Sequence, residues 1–438
     1  MSNGILPKER CCAIHLVRAE NCSELVKRKG VQKVRKLIVL IIVSLLAVST
    51  VTPAYAGTVP PWTRIYGADR AGTSNALFQI NFYSNYISTP YPMNVLLADG
   101  YTNLQDALIA TPYATYKGLP LQLYTPGTYS EAFFNGLHYE SPTIFHSTWG
   151  LPFQFSGITP YSATWMTSDT KLPYILYQNG VSVECTDNFA AGLNSIDLSV
   201  KIANQLPTPQ YVFIVNQKAF SDALSISPYS AYTKSPILLV DQNSVSPNVL
   251  NYINSHKSTI KMVYVIGGTG VISDSVMSQL PNAVRLAGSD RYGTCLQVNS
   301  TLPAVMYPIK QDGTTEQMQF YLMNGQDGHM ADGISTAANA SKMGNLNSGQ
   351  NIFWLTNGSQ FPYTSQQIIQ ALAPMNNFYV DLTFNQGTFN TNNLTVVGGP
   401  TVVPDSVAKT FWTIEGNILQ AATNKIWSPS TYPYSLTP

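Results

Sequence analysis

The chain is poor in charge: only 11% of its 438 residues are Asp, Glu, Lys or Arg, against 45% that are hydrophobic. Globular proteins usually carry about twice that charge. Nine of the 24 basic and three of the 23 acidic residues precede Gly57, which leaves 15 basic and 20 acidic residues after it, a net charge of −5. Because phosphate backbones are bound by clustered basic side chains, the composition argues against general nucleic-acid binding.

Cysteine and histidine are also scarce, with five residues of each. Three of the cysteines fall in the N-terminal segment, and only Cys185 and Cys295 lie in the body of the chain. A disulfide between these two is compatible with the sequence but not implied by it, and two buried free thiols are the simpler interpretation. No spacing typical of metal ligands occurs, so no metal site is expected.

Catalytic motifs are missing as well. No histidine after the N-terminal segment stands in an H-E-x-x-H sequence, and no G-x-S-x-G nucleophile turn occurs. The turn Gly267–Gly270 has the strand-to-helix setting in which backbone amides bind phosphate, but it matches neither G-x-G-x-x-G nor G-x-x-x-x-G-K. Glycines with positive φ in a tight turn explain it without a ligand. We therefore predict a protein that is not an enzyme, with no catalytic residues and no cofactor.

The N-terminal segment has the features of a targeting sequence. Basic residues at Lys33–Lys36 precede the apolar run Leu37–Val48, and a small-x-small site ends at Ala56. This order predicts a secretory signal peptide that is cleaved after Ala56. The apolar run is shorter than the roughly 20 residues of a spanning helix, so no permanent membrane span is expected. The residues before Val31 do not fit the pattern. Translation starting at Val31 or Val34 is one interpretation, and a genuine extended leader is the other.

One motif occurs twice, far apart in the chain. The sequence R-x-x-G-x-D-R stands at Arg64–Arg70 and again at Arg285–Arg291. A second landmark, an aspartate followed by small and apolar residues, occurs three times, at Asp106, Asp222 and Asp332. Its nearly even spacing indicates three repeated units of similar length.

Apolar strands alternate with helices between these landmarks. Met93–Ala98, Tyr211–Val215 and Met262–Ile266 are apolar without strict alternation, which is typical of parallel strands covered on both faces. The sequence therefore predicts an α/β fold with short parallel sheets.

Two of the three units end less clearly than the middle one. Where the first unit should close with R-x-x-G-x-D-R, the chain keeps only Asp187 and, after it, Phe189. For the third unit we expect closure by Ile414–Gly416, a degenerate copy of Leu286–Gly288, followed by a final helix. The predicted boundaries are 1–56 for the leader and signal peptide, 57–180, 181–284 and 285–426 for the units, and 427–438 for a tail.

The order of motifs in the middle unit is that of a known family. A D-A-L-S segment at Asp222–Ser225 precedes a P-I-L-L strand at Pro236–Leu239, a V-Y-V-I-G-G strand at Val263–Gly268 and the R-x-x-G-x-D-R copy. This order resembles the cell wall-binding repeat 2 family, over nearly all of the chain after Gly57. The resemblance implies three tandem Rossmann-like repeats in a pseudo-threefold arrangement. It also implies a secreted protein of a Gram-positive bacterium, held non-covalently at the cell wall by an anionic polysaccharide or teichoic-acid-like polymer.

The recurring charged residues are the candidate polymer-binding residues: Arg64, Asp69, Arg70, Arg285, Asp290 and Arg291. Guanidinium groups can fork onto phosphate or carboxylate groups of such a polymer. The alternative, which we favour, is that each Asp–Arg pair fastens one repeat to the next by an ion pair or by capping a helix. Both roles can hold at once. The degenerate end of the first unit predicts that one of three polymer sites is lost.

Two other functions remain as alternatives. Some relatives carry an amidase beside the repeats, so a divergent wall-processing hydrolase is one, and a surface-layer or adhesion component is the other. A deep pocket with an acid–base pair would favour the first, and exposed apolar patches on the long connections would favour the second. The long connections are 127–160 and 376–393. The irregularly spaced tryptophans are expected in the core or at its rim rather than on sugar: Trp149, Trp165, Trp354 and Trp412.

Overall fold

The computed structural model describes residues of the compact unit Pro61–Pro438, in the ranges 62–78, 95–101, 103–124, 161–166, 183–188, 193–307, 319–340, 350–372 and 394–423. For 161–166, 183–188 and 415–423 the description covers the backbone alone. Several predictions concern residues outside these ranges. They are the leader and signal peptide, the two long connections, Trp149 and the tail.

The strands of the described residues form three four-stranded parallel sheets. Sheet 1 contains β2 (Val95–Asp99), β3 (Leu121–Tyr124), β4 (Tyr161–Met166) and β5 (Val183–Asn188). Sheet 2 contains β6 (Tyr211–Asn216), β7 (Ile237–Val240), β8 (Met262–Ile266) and β9 (Ala283–Leu286). Sheet 3 contains β10 (Gln319–Asn324), β11 (Asn351–Thr356), β12 (Leu394–Val397) and β1 (Thr63–Ile65). The strand orders are β3-β2-β4-β5, β7-β6-β8-β9 and β11-β10-β12-β1.

Helices of the described residues connect several of these strands, for example the helix Leu104–Lys117 between β2 and β3, and supply the crossover connections that parallel strands require. They are α1 (Arg70–Phe78), α2 (Leu104–Lys117), α3 (Ser195–Ala203), α4 (Ser227–Thr233, continuing a 3₁₀ segment Phe220–Ile226), α5 (Pro247–Ser255), α6 (Asp274–Met277), α7 (Arg291–Met306), α8 (Met330–Ala340), α9 (Ser365–Leu372) and α10 (Asp405–Thr423). No helix of the described ranges combines the length and the apolar character that crossing a membrane requires.

The strands show why an α/β fold could be predicted. All residues of Ile237–Val240 are buried, as are those of Gln319–Asn324 and Asn351–Thr356. Strands buried on both faces need helices on both sides of the sheet, which is the arrangement of parallel α/β folds. The predicted α/β class with short parallel sheets is confirmed. Two strands, Ile237–Val240 and Met262–Ile266, begin and end where the sequence predicts them.

Sheet 3 closes differently from the prediction. Its fourth strand is β1, from the other end of the chain, which pairs with β12 through Thr63–Thr395 and Ile65–Val397. Ile414–Gly416, expected to supply this closure, lies instead inside the continuous helix α10. The expectation was wrong because helical spacing prevails there: Val407, Ala408, Phe411 and Ile414 are all buried, as on one face of an amphipathic helix.

Three helices that begin near the landmark aspartates pack against one another. Helix α2 contacts α4 and α8, and α8 also contacts α4. The approach is tightest at Gly333, where an added Cβ would lie 2.5 Å from the sulfur of Met323 and 2.9 Å from the methyl groups of Leu224. Glycine in the third landmark, where the others have alanine, leaves room for the ends of these side chains. A pseudo-threefold arrangement requires such mutual contact, and the arrangement itself stays a prediction.

A second set of helices, α1, α3 and α7, covers the edge strands β3, β7 and β11. The Ser74 hydroxyl accepts a hydrogen bond from the amide of Leu123 at 3.1 Å. Ser199 does the same for Leu239 at 3.1 Å. On β11 the side-chain amide of Asn299 donates to the carbonyl oxygen of Phe353 at 2.8 Å. Unpaired edge groups of each sheet thus find side-chain partners, which limits pairing with other chains.

The strand pairing bears on the unit boundaries. Strand β5 pairs with β4, so sheet 1 extends on both sides of residue 180. Strand β9 pairs with β8, and residue 284 lies within it. The boundaries 57–180, 181–284 and 285–426 stay a prediction about repeats in the sequence, while sheet 2 runs on to β9, the strand after its glycine turn.

Candidate functional site

Arg64 and Arg285 make the same pair of contacts in two sheets. The Nη1 atom of Arg64 donates to the carbonyl oxygen of Gly398 at 2.7 Å, and its Nη2 atom lies 2.7 Å from Oδ1 of Asp405. Arg285 donates to the carbonyl oxygen of the equivalent turn glycine at 2.8 Å and lies 3.0 Å from Oδ1 of Asp274. Both arginines therefore join the fourth strand to the turn and to the helix that follow the third strand.

The glycine turns themselves adopt positive φ angles, as the sequence predicts. The angle is +103° at Gly267 and +112° at Gly398. A Cβ on Gly267 would also lie 3.1 Å from Oδ2 of Asp222. Backbone conformation and a close carboxylate are sufficient reasons for glycine here.

Asp69 and Asp290 cap helices. Oδ1 of Asp69 accepts from the amide of Gly72 at 2.7 Å, and Oδ1 of Asp290 accepts from the amide of Gly293 at 2.7 Å. Both bonds satisfy an amide in the first turn, α1 and α7 beginning directly after these residues. The expected capping role is what the structure shows for both aspartates.

Arg70 and Arg291, the first residues of these helices, reach the next sheet. Arg70 donates to the carbonyl oxygen of Gly100, directly after β2, at 2.8 Å. Arg291 donates to the carbonyl oxygen of Gly325, directly after β10, at 2.6 Å, and its Nη1 atom also lies 2.6 Å from Oδ1 of Asp327. We call the segment Arg64–Thr73 the first junction and Arg285–Thr294 the second junction. Each fastens two sheets together.

The motif is longer than the sequence comparison suggested. Both copies continue as R-x-x-G-x-D-R-x-G-T, ending in Thr73 and Thr294. The amide of Gly67 donates to the Thr73 hydroxyl at 3.1 Å, and that of Gly288 to the Thr294 hydroxyl at 3.0 Å. The signal was present in the sequence, as identical residues at identical spacing in both copies.

A third junction, Asn194–Ser199, starts helix α3 between sheets 1 and 2. Oδ1 of Asn194 accepts from the amide of Asp197 at 2.8 Å, which is the capping bond of the other two junctions. The counterpart of the capping aspartates is therefore Asn194, and Asp187, expected as the remnant of the motif at the end of the first unit, lies within β5. Ser195 stands where the other junctions have arginine. The third junction thus lacks a guanidinium at this position.

Each landmark aspartate lies beside one junction. Burial raises the pKa of Asp332 to about 6, while a hydrogen bond from Thr73 and the charge of Arg70 lower it. Burial also raises the pKa of Asp222, against the opposing effects of Arg291 and Thr294. Asp106 faces Ser195, and burial raises the pKa of its carboxyl to about 6. The Oδ1 atom of Asp106 is buried without a hydrogen-bond partner within the described residues.

Replacing Asp106 with asparagine is expected to stabilise the protein at neutral pH. The folded protein holds the Asp106 proton up to about pH 6, whereas an unfolded chain loses it near pH 4. The contribution of this carboxyl group to the free energy of unfolding is therefore full below about pH 4, and it is lost as the pH rises through about 6. Urea unfolding should show a gain of about 3 kcal/mol at pH 7 and little gain at pH 4. Asp241→Asn, at a partly exposed position, is the control, and equal gains for Asp106→Asn at both pH values would contradict the prediction.

The remaining candidate residues are cysteines and tryptophans, and those whose side chains the structure describes lie in or against the core. Cys295 is a free, buried thiol, and the side chain of Cys185 lies outside the description. Trp354 is fully buried and Trp412 is partly buried against the core, in agreement with the expected core or rim positions. Within the described ranges no three His, Cys, Asp or Glu side chains gather as metal ligands would.

The family can be assigned from comparison with known proteins. A sequence profile described as "Cell wall binding domain 2 (CWB2)" matches residues 190–277 and 285–408. This chain belongs to the CWB2 family. The matched segments contain the second and third junctions, together with most of sheet 2 and most of sheet 3. The first junction lies before the matched segments. At its key positions it has the same residues as the motif of the second junction.

Individual relatives agree with the assignment. N-acetylmuramoyl-L-alanine amidase LytC of Bacillus subtilis (strain 168) is 27% identical over 229 residues, which are 52% of this chain and 40% of that protein. The Amidase enhancer of the same organism is 33% identical over 105 residues, 23% of this chain and 14% of that protein. The CWB2 chain thus spans less than half the length of these curated relatives.

Solved structures show the same fold. Cwp8 from Clostridium difficile matches with a TM-score of 0.56 at 16% identity, over 85% of this chain and 53% of that one. Cwp6 from Clostridium difficile matches with a TM-score of 0.57 at 18% identity, over 82% of this chain and 50% of that one. Taken with the family match, cell wall binding is the function that the comparisons support for this chain, and the cell surface is its place.

Proposed function

We propose that this CWB2 chain is a secreted protein that binds an anionic glycopolymer of the cell wall non-covalently and performs no catalysis itself. The observation that carries the proposal is the CWB2 match over residues 190–277 and 285–408, a domain whose description names cell wall binding. The polymer would be an anionic polysaccharide or a teichoic-acid-like polymer. Secretion rests on the N-terminal sequence, where a basic segment and an apolar run precede Ala56.

Arginine at the junctions supports an anionic ligand. Arg70 and Arg291 lie at the C-terminal ends of strands and are partly exposed. A guanidinium carries five N–H donors in a planar fork that suits phosphate and carboxylate. In a chain with net charge −5 after Gly57, such local cations are needed to attract a polyanion. Modest contacts at more than one junction would add up through multivalency.

The amidase name of one relative does not favour catalysis by this chain. The similarity to LytC covers only 40% of that protein, so its activity belongs to a longer molecule. The repeated residues of this chain cap helices and join sheets, which are the roles of a binding scaffold. A divergent hydrolase therefore remains an outcome for the experiment.

The decisive experiment is a pulldown of the purified protein on isolated cell walls. It is done before and after the anionic wall polymer is extracted with acid or hydrofluoric acid. We expect binding to extracted walls to fall at least about tenfold, and binding to intact walls to weaken steadily across a salt series, since charged contacts are screened. The turbidity of the walls should stay constant throughout. Circular dichroism of the same sample establishes that it is folded.

Three results would contradict the proposal. Binding that survives polymer extraction would show that the ligand is a component of the remaining wall. Failure of a folded protein to bind any wall would leave assembly with neighbouring copies as the better function. A fall in wall turbidity would identify a hydrolase.

A further inference from the structure

We propose that Tyr101 and Arg70 at the first junction form the anionic-sugar contact of this chain, with a sugar ring on the tyrosine and its phosphate or carboxylate on the guanidinium. This inference rests on the proposed function and names the place where it is performed. The second junction, where Arg291 is paired with Asp327, would add a weaker contact, and the third serves mainly to hold the sheets together.

Arg70 differs from the other motif arginines in the partners of its guanidinium group. Arg64, Arg285 and Arg291 each lie within 3.0 Å of an aspartate oxygen. Arg70 instead donates to two neutral carbonyl oxygens, at 2.8 Å to Gly100 and 3.0 Å to Gly328, and forms no ion pair with any described residue. A guanidinium held by neutral partners keeps its orientation and still attracts an external anion.

Tyr101 supplies the surface for a sugar. Its side chain is 61% exposed, the highest exposure of any large hydrophobic residue in the described ranges. The guanidinium of Arg70 lies over its ring, 4.7 Å from the centroid. The amide of Tyr101 donates to Oδ1 of Asp99 at 2.7 Å, which positions the residue directly after β2. An exposed aromatic ring that is fixed beside a cation suits a sugar face bearing a negative group.

The same turn at the other two junctions carries no aromatic residue. Gln326 and Lys218 occupy the place of Tyr101, since their amides donate to Oδ1 of Asn324 at 2.9 Å and of Asn216 at 2.8 Å. At the second junction the arginine is also neutralised by Asp327. The third has Ser195 in place of arginine. Aromatic ring and unpaired guanidinium thus occur together at the first junction alone among the three.

The surroundings of Arg70 also suit a polar ligand. Gly328, which Arg70 contacts, is exposed and is followed by the partly buried His329. Partial burial lowers the pKa of His329, and the charge of Arg70 lowers it further. A neutral imidazole can donate to or accept from sugar hydroxyls.

The test uses wall binding by the purified protein and two tyrosine variants. Tyr101→Ala should weaken binding about fivefold to tenfold, because a stacked ring face is lost, while Tyr101→Phe should retain nearly all of it. The matched control is Tyr116→Ala. Tyr116 is 43% exposed and has the amine of Lys117 5.1 Å from its ring centroid, but it lies on α2 away from any junction. All variants change exposed side chains, and their unfolding midpoints should match that of the unchanged protein.

Soluble probes identify the chemistry of the ligand. Saturation-transfer NMR should show contact with glucose 1-phosphate or glucuronate, weaker contact with glucose, and loss of the anionic-sugar signal in Tyr101→Ala and Arg70→Gln. The anionic probe that gives the stronger signal shows whether the charged group of the ligand is a phosphate or a carboxylate. Equal signals from glucose, or signals unchanged by Tyr101→Ala, would overturn the proposal.

The outcomes for this site and for the proposed function are distinguishable. If the unchanged protein binds walls and Tyr101→Ala binds them equally well, the site is wrong and wall binding stands. If the unchanged protein fails to bind walls, the proposed function fails, whatever the variants do. A loss for Tyr116→Ala equal to that for Tyr101→Ala would show a general effect of surface tyrosines and overturn the site.

Discussion

Gly288→Ala is expected to lower the free energy of unfolding by about 3 kcal/mol or more. The new Cβ would lie 2.1 Å from the carbonyl carbon of Gly293 and 2.4 Å from its Cα atom. These atoms belong to the backbone of the first turn of α7, so no side chain can move aside. The second junction would have to open, which separates the Asp290 cap and the Arg291 contacts from their partners. Urea and thermal unfolding measure the loss.

Gly270→Ala is the matched control for this change. Gly270 lies in the turn after β8, and a Cβ there would meet no atom within 4 Å. The substitution should alter the free energy of unfolding by less than about 1 kcal/mol. Similar unfolding midpoints for Gly288→Ala and Gly270→Ala would contradict the close backbone approach at the junction. Gly67→Ala should repeat the large effect at the first junction, where the distance to Gly72 is 2.2 Å.

Ile65→Asp is expected to cost about 4 kcal/mol or more, since it buries a charge in sheet 3. Ile65 is 2% exposed and pairs with Val397 at the far end of the chain. Loss of β1 would leave β12 as an unpaired edge. Hydrogen exchange should therefore show faster exchange at Leu394–Val397, while the strands of sheet 2 keep their protection. This readout tests the closure of sheet 3 directly.

Thr63→Asp provides the comparison on the same strand. Thr63 is exposed, so a carboxylate there stays in water and should change the free energy of unfolding by less than about 1 kcal/mol. Unaltered exchange at Leu394–Val397 in Ile65→Asp would show that β12 does not depend on β1.

The sequence pointed to the residues of two junctions but only in part to their geometry, and it did not point to Tyr101. The recurrence of R-x-x-G-x-D-R singled out all six charged residues, and two of them, Asp69 and Asp290, cap helices as one interpretation expected. The four arginines divide into two kinds. Arg64 and Arg285 act within one sheet, and Arg70 and Arg291 cross to the next. Spacing in a sequence cannot show which carbonyl oxygen a long side chain reaches, so this division needed the structure.

Position in the fold also decides the surroundings of each candidate arginine. Arg291 and Arg70 occupy equivalent places in equal motifs, yet one is paired with Asp327 and the other lies over Tyr101. The difference arises from residues after β10 and β2, which belong to neither motif copy. Motif comparison treats the two arginines as equal. Their surroundings come from separate parts of the chain that the fold brings together.

Local physics in the sequence determined the elements and the class of fold. Runs of buried apolar residues set strands such as Ile237–Val240, and periodic apolar residues set the helices, because these patterns report burial over neighbouring positions. Tertiary structure alone decided that β1 closes sheet 3, that Asn194 replaces the third capping aspartate, and that Arg70 forms no ion pair with the residues that the structure describes. Each of these depends on contacts between distant segments, whose free energy no local window of sequence contains.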